Sequence, residues 1–507
     1  MQTRQLAHEY QIVVPAAHEL RVHIPFSSTY FGKAEKYAHV AVTITLEGPT
    51  GDGEICGCPV IMNNPIHISY GDSVSVYSRN GAHFRIGVTN EKLKNCIYIS
   101  ANSTYRSVVE LHGTLNSLRW ASTVRKLPTI AGRPPNLLIL GPEFSGKNTV
   151  TTSLLNYACR DGWFPTLVDL DVCNPISGIT GSTSLSAWDN CCPYDETSSV
   201  SGAHQTLAFP YGYPSPRDNP AAFMQAVKDS AAVLADRLHS IVETKSHSAG
   251  ILINTPRGLL FEEMISIVND FHVSDILVIQ EDNLRVLLEA FYRNEQSDDG
   301  TQRVRVRGAH ISGGVIPWKL RNREVATITH FLYGKGKVDL APVLHRFPVE
   351  SVGISHPLRW REDTKNGEWP SLASLRTEDT ASLQNSLCMI LRRSPDGANT
   401  RTTIFAVGVI KEIGIEGIKI VIPNLAPIPE KILFQSSEGK MEEHDKQSHK
   451  YMRREVASPK GTYVFQSYKN ALFQKPSTAP PTKKENVSSK SQRIDLLVTE
   501  IKYAHFS

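Results

Sequence analysis

Nine residues, Gly141-Pro-Glu-Phe144-Ser145-Gly146-Lys147-Asn148-Thr149, carry the clearest chemical signal in the sequence. Their spacing is that of a phosphate-binding loop, G-x-x-x-x-G-K, up to the last position. Glycines let the backbone wrap around a phosphate, while loop amides and the N-terminus of the following helix point inward. Lys147 then supplies a point charge for the β- and γ-phosphates. A chance glycine-rich turn would explain the glycines alone. Here an apolar run, Asn136-Leu-Leu-Ile-Leu, precedes the loop, and a helical pattern with Val150, Leu154, Leu155 and Ala158 on one side follows it. Strand, loop, lysine and helix therefore come in the required order. One residue departs: the motif needs Ser or Thr after the lysine, whose hydroxyl ligates Mg²⁺, and this chain has Asn148. An amide oxygen can ligate a hard cation, but with a different reach. The Thr149 hydroxyl is turned about 100° away on a helix. Nucleotide binding should survive this change better than metal-dependent chemistry.

The next apolar run ends in Val168-Asp169-Leu170-Asp171. Acids at i and i+2 on a strand share a face. At the carboxyl edge of a parallel sheet they lie beside the phosphate site. Asp169 is the candidate for the Mg²⁺ shell, and Asp171 for accepting a proton from an attacking hydroxyl. Two solvated acids ending a strand would be the plainer explanation, but their place about twenty residues beyond Lys147 favours the site. A third signal is basic: Arg303-Val-Arg-Val-Arg307, then Ser312-Gly-Gly-Val-Ile-Pro-Trp-Lys-Leu-Arg-Asn-Arg323, with six basic residues and no acid between 301 and 323. Arginines on a movable segment could close over phosphate or grip an RNA backbone. A solvated basic face explains the same run. The Asn-Lys-x-Asp of GTPases is missing where the strand Asp275-Ile-Leu-Val-Ile runs into Gln280-Glu-Asp-Asn, which argues against a GTP switch.

These residues need a scaffold, and the chain is long enough for several domains. It has 507 residues, 40% hydrophobic and 21% charged, with a net charge of +4. That balance allows real cores and makes nucleic-acid contact a matter of local patches. No stretch reaches the roughly 18 apolar residues of a membrane span, and no apolar signal core follows Met1, so neither a membrane partner nor secretion is expected. The cysteine pairs Cys56/Cys58 and Cys191/Cys192 lack zinc-knuckle spacing and read as reduced thiols. Residues 1–125 alternate apolar and polar side chains between Gly/Asn/Asp turns, as in Glu19-Leu-Arg-Val-His-Ile, which predicts a β-sandwich. A Pro/Gly linker covers 126–135. From 136 to 345, buried-type runs alternate with helical patterns (147–160, 221–244 and 261–271), the grammar of a parallel α/β sheet. Residues 346–436 predict a small, mainly β domain. The tail 437–507 is basic and rich in Ser, Pro and Lys, and is expected to be largely disordered.

Together these pieces resemble one family, the polynucleotide 5′-hydroxyl kinases and the Clp-type subunits of the pre-mRNA cleavage-and-polyadenylation machinery. The resemblance rests on Glu19-Leu-Arg, the loop at 141–149 with Leu154-Leu-Asn-Tyr-Ala, and Pro165-Thr-Leu-Val-Asp-Leu-Asp-Val172 ending near Ile179-Thr-Gly. It continues through Ile253-Asn-Thr255, Ser312-Gly-Gly-Val315, Phe331-Leu-Tyr-Gly334 and Leu425-Ala-Pro-Ile-Pro-Glu-Lys-Ile-Leu. It covers about residues 10–436. It implies a β-sandwich, a central kinase-like P-loop domain and a small C-domain. It also implies ATP and Mg²⁺ as cofactors, RNA and other subunits of the cleavage/polyadenylation complex as partners, and a nuclear location. By resemblance Glu19 contacts the adenine side, residues 144–149 hold the phosphates, and Asp171 stands where a base activates an RNA 5′-hydroxyl. Departures fall on catalysis. Besides Asn148, Asp-Val-Gly-Gln becomes Asp171-Val-Cys-Asn174, the Thr-Pro-Gly clasp is reduced to Pro214-Ser-Pro216, and Thr-x-Gly-Trp becomes Thr255-Pro-Arg-Gly. In the lid, Pro317-Trp318 replaces an acid and an arginine, leaving Arg321 and Arg323 as the nearest basic candidates. The expectation is an ATP-binding subunit of mRNA 3′-end processing with weak or no kinase activity. The alternatives are an active RNA 5′-hydroxyl kinase, including one tied to tRNA splicing, and a P-loop NTPase of another kind.

Overall fold

The structure, a computed structural model, describes residues 8–25, 40–48, 51–103, 105–124, 133–177, 180–191, 203–213, 215–240, 245–293, 304–310, 343–347, 352–355, 387–393, 402–414, 417–422, 433–436, 454–457 and 463–468. The lid segment 311–342, with Arg321 and Arg323, lies outside these residues, as do Arg303, Cys192, Pro214 and most of the linker.

Among the described residues nine strands come first: β1 (His8–Val14), β2 (His18–His23), β3 (Val40–Glu47), β4 (Glu54–Ile55), β5 (Cys58–Pro59), β6 (Ile66–Ser69), β7 (Ser73–Ser78), β8 (Ala82–Val88) and β9 (Ile97–Ser100). They form two sheets, ordered β1-β8-β3-β6 and β5-β4-β7-β2-β9. The expected sandwich is present, and its core holds Leu20, Val22, Val42, Ile44, Val74, Val76, Phe84 and Ile86. Strand β7 reads Ser-Val-Ser-Val-Tyr-Ser and buries every second residue, as a two-residue side-chain period requires. The strand pattern stops sooner than 125. Residues Tyr105–Val124 form a helix, α1, which packs on the first helix of the central domain. Its buried Arg119 donates from Nε to the Ala249 carbonyl at 2.9 Å, tying α1 to the short helix Lys245–Ala249 of the central domain.

The central domain contains β10 (Asn136–Leu140), α2 (Lys147–Arg160), β11 (Thr166–Asp169), β12 (Ser182–Trp188), β13 (Ala203–Pro210), α3 (Pro220–Ser240), α4 (Lys245–Ala249), β14 (Ile251–Asn254), α5 (Phe261–Asp270), β15 (Asp275–Ile279), α6 (Asp282–Arg293) and β16 (Arg305–Ala309). Its seven-stranded sheet runs β13-β12-β11-β14-β10-β15-β16. The five strands from β11 to β16 are parallel, whereas β12 and β13 pair antiparallel at one edge. The parallel sheet expected from the apolar runs is present in these five strands, and β12 adds an antiparallel edge. That strand reads Ser-Thr-Ser-Leu-Ser-Ala-Trp and has no hydrophobic run, yet it is almost wholly buried. Its hydroxyls satisfy one another and their neighbours: Ser184 Oγ donates to the Ser177 carbonyl at 2.6 Å, Ser186 Oγ to Ser177 Oγ at 2.7 Å, and Thr183 meets Ser230 at 3.2 Å. Buried hydroxyls are tolerated when bonded in this way.

An eight-stranded sheet follows, ordered β18-β24-β19-β20-β21-β17-β23-β22. Its strands are β17 (Val343–Phe347), β18 (Val352–Ser355), β19 (Leu387–Arg393), β20 (Thr402–Gly414), β21 (Gly417–Ile422), β22 (Leu433–Ser436), β23 (Arg454–Ala457) and β24 (Tyr463–Tyr468). The expected boundary at 345 falls inside β17. Strands β23 and β24 lie in the tail expected to be disordered, so sheet pairing extends past 436. Tyr463-Val-Phe-Gln-Ser-Tyr is rich in β-formers and pairs with β19 and β18. No helix among the described residues is long and apolar enough to cross a membrane.

Candidate nucleotide-binding site

Strand β10 delivers the loop to the carboxyl edge of the sheet, and Gly146 opens helix α2 in a left-handed conformation (φ 89°) that glycine adopts without strain. A Cβ at Gly141 would lie 2.8 Å from both the Ile279 carbonyl and Ser145 Oγ, so only glycine allows the loop its close turn against β15. Phe144 stands exposed at the loop mouth, and Thr149 is exposed on the first turn of α2. Ser145 Oγ is buried and finds no hydrogen-bond partner among the described residues. Lys147 is buried too, and its Nζ donates to the carbonyls of Gly141 (2.9 Å) and Pro142 (2.8 Å). Desolvation lowers its pKa, while Asp171, Glu143 and Glu281 pull the other way. A buried ammonium and an orphaned hydroxyl curled into one loop fit a polyphosphate, which would give both groups an anionic acceptor.

Asn148 does not reach out as a metal ligand. Its Nδ2 donates to the Asn174 carbonyl at 2.7 Å, and its Oδ1 accepts from Asn254 Nδ2 at 3.1 Å. Asn254 also donates to Asp169 Oδ1 at 2.9 Å. Sheet register makes this bridge possible: Asn254 ends β14, opposite Asp169 on β11 and Ile139 on β10. Asp169 is fully buried and accepts from the backbone amides of Asp171 (3.2 Å), Ile176 and Ser177 (2.9 Å) besides Asn254. A carboxylate has about four lone-pair sites, so these donors account for its capacity. Burial, then the neighbouring Asp171, raises its pKa to about 7. The two residues expected to hold Mg²⁺ are therefore engaged in a hydrogen-bonded bridge, and this donor set does not fit the ion.

Asp171 Oδ1 accepts from the amides of Cys173 and Asn174, both at 3.2 Å, and so caps the turn that carries the Asn174 carbonyl to Asn148. Asp171 also lies close enough to Lys147 to favour its charged form. The structure thus brings Lys147, Asn148, Asp169 and Asp171 together at one sheet edge. Glu19 lies elsewhere, on β2 of the sandwich, buried and held by Arg21 (2.9 Å) and Ser75 (2.7 Å). It faces the region of Cys56 and Tyr105, whose pKa values are raised first by burial and in smaller part by its charge. That region contacts α2: Asn156 Nδ2 donates to the Cys56 carbonyl at 2.7 Å, and Arg160 pairs with Glu54 at 2.7 Å.

The basic run behaves differently. Arg305 makes a two-pronged contact with the buried Asp275 (2.9 and 2.7 Å), and Arg307 lies 3.8 Å from the same carboxylate. Asp275 begins β15, at the sheet edge opposite the phosphate loop, so these two arginines neutralise a buried acid there. Residues that lie in the quoted motifs but take no individual role from sequence are Asn254, Asn174 and the pair Glu143–Arg257, which joins the phosphate loop to the segment after β14. A polar residue ending a buried strand at the carboxyl edge was the available signal for Asn254. No cluster of metal-ligating residues occurs among those described.

Residues 13–122 match a family model described as the N-terminal β-sandwich domain of polyadenylation factor. Residues 141–327 match the model of the mRNA cleavage and polyadenylation factor CLP1 P-loop. A relative from Arabidopsis thaliana, the protein CLP1 homolog, is 25% identical over 373 residues, covering 67% of this chain and 78% of that protein. A relative from Danio rerio, polyribonucleotide 5′-hydroxyl-kinase Clp1, is 26% identical over 276 residues, 54% of this chain and 57% of its own length. The solved structure of wild-type Clp1p in complex with a Pcf11p segment superimposes with a TM-score of 0.66 at 15% identity, covering 91% of this chain and 98% of that one. Such a match speaks for the fold, while the P-loop family model over 141–327 carries the nucleotide-binding loop.

Proposed function

The chain belongs to the CLP1 family of mRNA cleavage and polyadenylation factors, and from that premise we propose that it is an ATP-binding subunit of the nuclear pre-mRNA 3′-end processing machinery, with little or no kinase activity of its own. Its partners on this reading are other subunits of the cleavage complex, and RNA. The observation that carries it is the state of Asn148. The phosphate loop keeps its glycines and Lys147, while the residue that should ligate the metal is held between Asn174 and Asn254. Phosphoryl transfer depends on positioning and on a cation neutralising charge between the β- and γ-phosphates. A site that retains the cradle and gives up the metal ligand suits nucleotide used as a structural element between the sandwich and the central domain. Glu19, on the sandwich, keeps its proposed place on the adenine side, and Asp171 would be the base if any transfer occurs.

Two measurements test this. Calorimetry should show ATP binding that weakens by at least about tenfold in Lys147→Ala, or 1.4 kcal/mol. Equal affinity in both proteins would remove the loop from the argument. Purified protein with Mg-ATP and a 5′-hydroxyl RNA should transfer little or no phosphate. Robust transfer abolished by Asp171→Ala would instead make the chain a working RNA 5′-hydroxyl kinase.

A further inference from the structure

We infer that Arg257 is a phosphate-contacting residue of this site, reaching the terminal phosphate of a bound nucleoside triphosphate from a resting place on Glu143. The inference rests on the nucleotide reading above. It starts from topology. Strand β14 lies directly beside β10 in the sheet, so the segment following β14 runs alongside the phosphate loop. Thr255 Oγ1 clamps that segment by donating to the Ile139 carbonyl at 2.7 Å. Two residues later the Arg257 guanidinium forms an ion pair with Glu143, the third residue of the loop, and both side chains remain partly exposed. Gly258 follows with φ +73° and open space around it, which leaves the arginine's backbone room to adjust.

Charge favours an exchange of partners. Lys147 senses both Glu143 and Arg257, so ammonium, carboxylate and guanidinium surround one loop. The lysine of such a loop reaches the β- and γ-phosphates, which places Arg257 near the terminal phosphate. A partly exposed ion pair contributes little, whereas guanidinium bound to phosphate in two-pronged fashion is among the stronger charge-assisted contacts. A triphosphate entering beside Glu143 also repels that carboxylate. Transfer of Arg257 from Glu143 to the phosphate is therefore downhill. Arg305 and Arg307 cannot serve, because they hold Asp275 at the opposite sheet edge.

The test is calorimetry of the full chain with ATP and with ADP. Arg257→Gln should weaken ATP by about tenfold and leave ADP within about twofold, because only the triphosphate carries the contacted group. Arg257→Lys, which keeps the charge without the fork, should fall between wild type and Arg257→Gln. Glu143→Gln combined with Arg257→Gln should remain as weak for ATP as Arg257→Gln alone. An unchanged ATP-to-ADP ratio in Arg257→Gln overturns the proposal. So does a return to wild-type ATP affinity in the double variant, which would reduce Arg257 to a neutraliser of Glu143. Both outcomes leave the nucleotide reading standing, whereas a wild-type chain that binds neither nucleotide overturns both.

Discussion

Replacing Asn148 by serine should make nucleotide binding depend on magnesium while lowering the stability of the fold. The substitution removes the bond to the Asn174 carbonyl at 2.7 Å and the bond from Asn254 at 3.1 Å. Hydrogen bonds contribute about 0.5–1.5 kcal/mol net each, so the loss lies between about 1 and 3 kcal/mol. Asn254 keeps Asp169 as an acceptor at 2.9 Å, which favours the lower half of that range. A loss of about 1.5 kcal/mol lowers the Tm of a domain of this size by about 3–6 °C. The same change restores the hydroxyl that the motif uses to ligate Mg²⁺. The assay is ATP titration with Mg²⁺ and with a chelator, beside a thermal melt. Wild-type affinity should differ by less than about threefold between the two conditions, and the serine variant should bind at least about tenfold more tightly with the metal, 1.4 kcal/mol. A wild-type affinity that falls tenfold or more on chelation would refute the reasoning, because it would mean that the amide bridge does not displace the ion.

Two further predictions concern positions around the site. Gly57→Ala should destabilise the docking of the β4–β5 hairpin on α2, since its φ is +75° and a Cβ would lie 2.9 Å from the Ser153 carbonyl; a loss of about 1–3 kcal/mol is expected in denaturant unfolding, and a loss under 0.5 would contradict the packing. Asp169 has its folded pKa raised to about 7, so between the unfolded value near 4 and 7 the folded state holds the extra proton and stability falls as pH rises. The stability deficit of Asp169→Asn against wild type should accordingly shrink by about 1.4 kcal/mol per pH unit from pH 5 to pH 7, and a deficit constant with pH would show that the carboxylate is ionised throughout.

Local patterns made much of this legible. The phosphate loop with its flanking strand and helix, and the run leading to Asp169 at the end of β11, are local in sequence, and their periodicities match the elements found, although Asp171 lies just beyond the strand. The sandwich strands were readable for the same reason. Helix α1 was not, because an unbroken strand reading was carried into a segment whose buried residues, Val108, Leu115 and Arg119, are widely spaced and include a charge. Strand β12 hid its burial behind serines whose partners, Ser177 and Ser230, come from other elements. Arg305 and Arg307 could be read from sequence as phosphate contacts because sequence shows charge but not its partner; Asp275 lies 30 residues from Arg305. The same limit applied to Asn148, whose departure from the motif was visible, while Asn254, 106 residues away, was not.

That distant partner explains how the loop can stay rigid without an ion. In the usual arrangement a cation ties the residue after the loop lysine to an acid on a neighbouring strand. Here the same two elements are tied by hydrogen bonds, from Asn148 on α2 through Asn254 on β14 to Asp169 on β11. The bridge uses neutral donors at a fixed sheet register; the hydrogen bonds to Asp169 favour its carboxylate form, while burial and the neighbouring Asp171 oppose it and raise the pKa to about 7. Asp169 in turn fixes the backbone from Asp171 to Ser177, and Ser177 locks into the hydroxyls of β12. A cradle preorganised in this way binds phosphate at little further cost in ordering. On the proposed reading it lacks a cation between the β- and γ-phosphates, on which phosphoryl transfer depends. Preorganised binding of this kind suits the proposed role, in which nucleotide is kept as part of the structure.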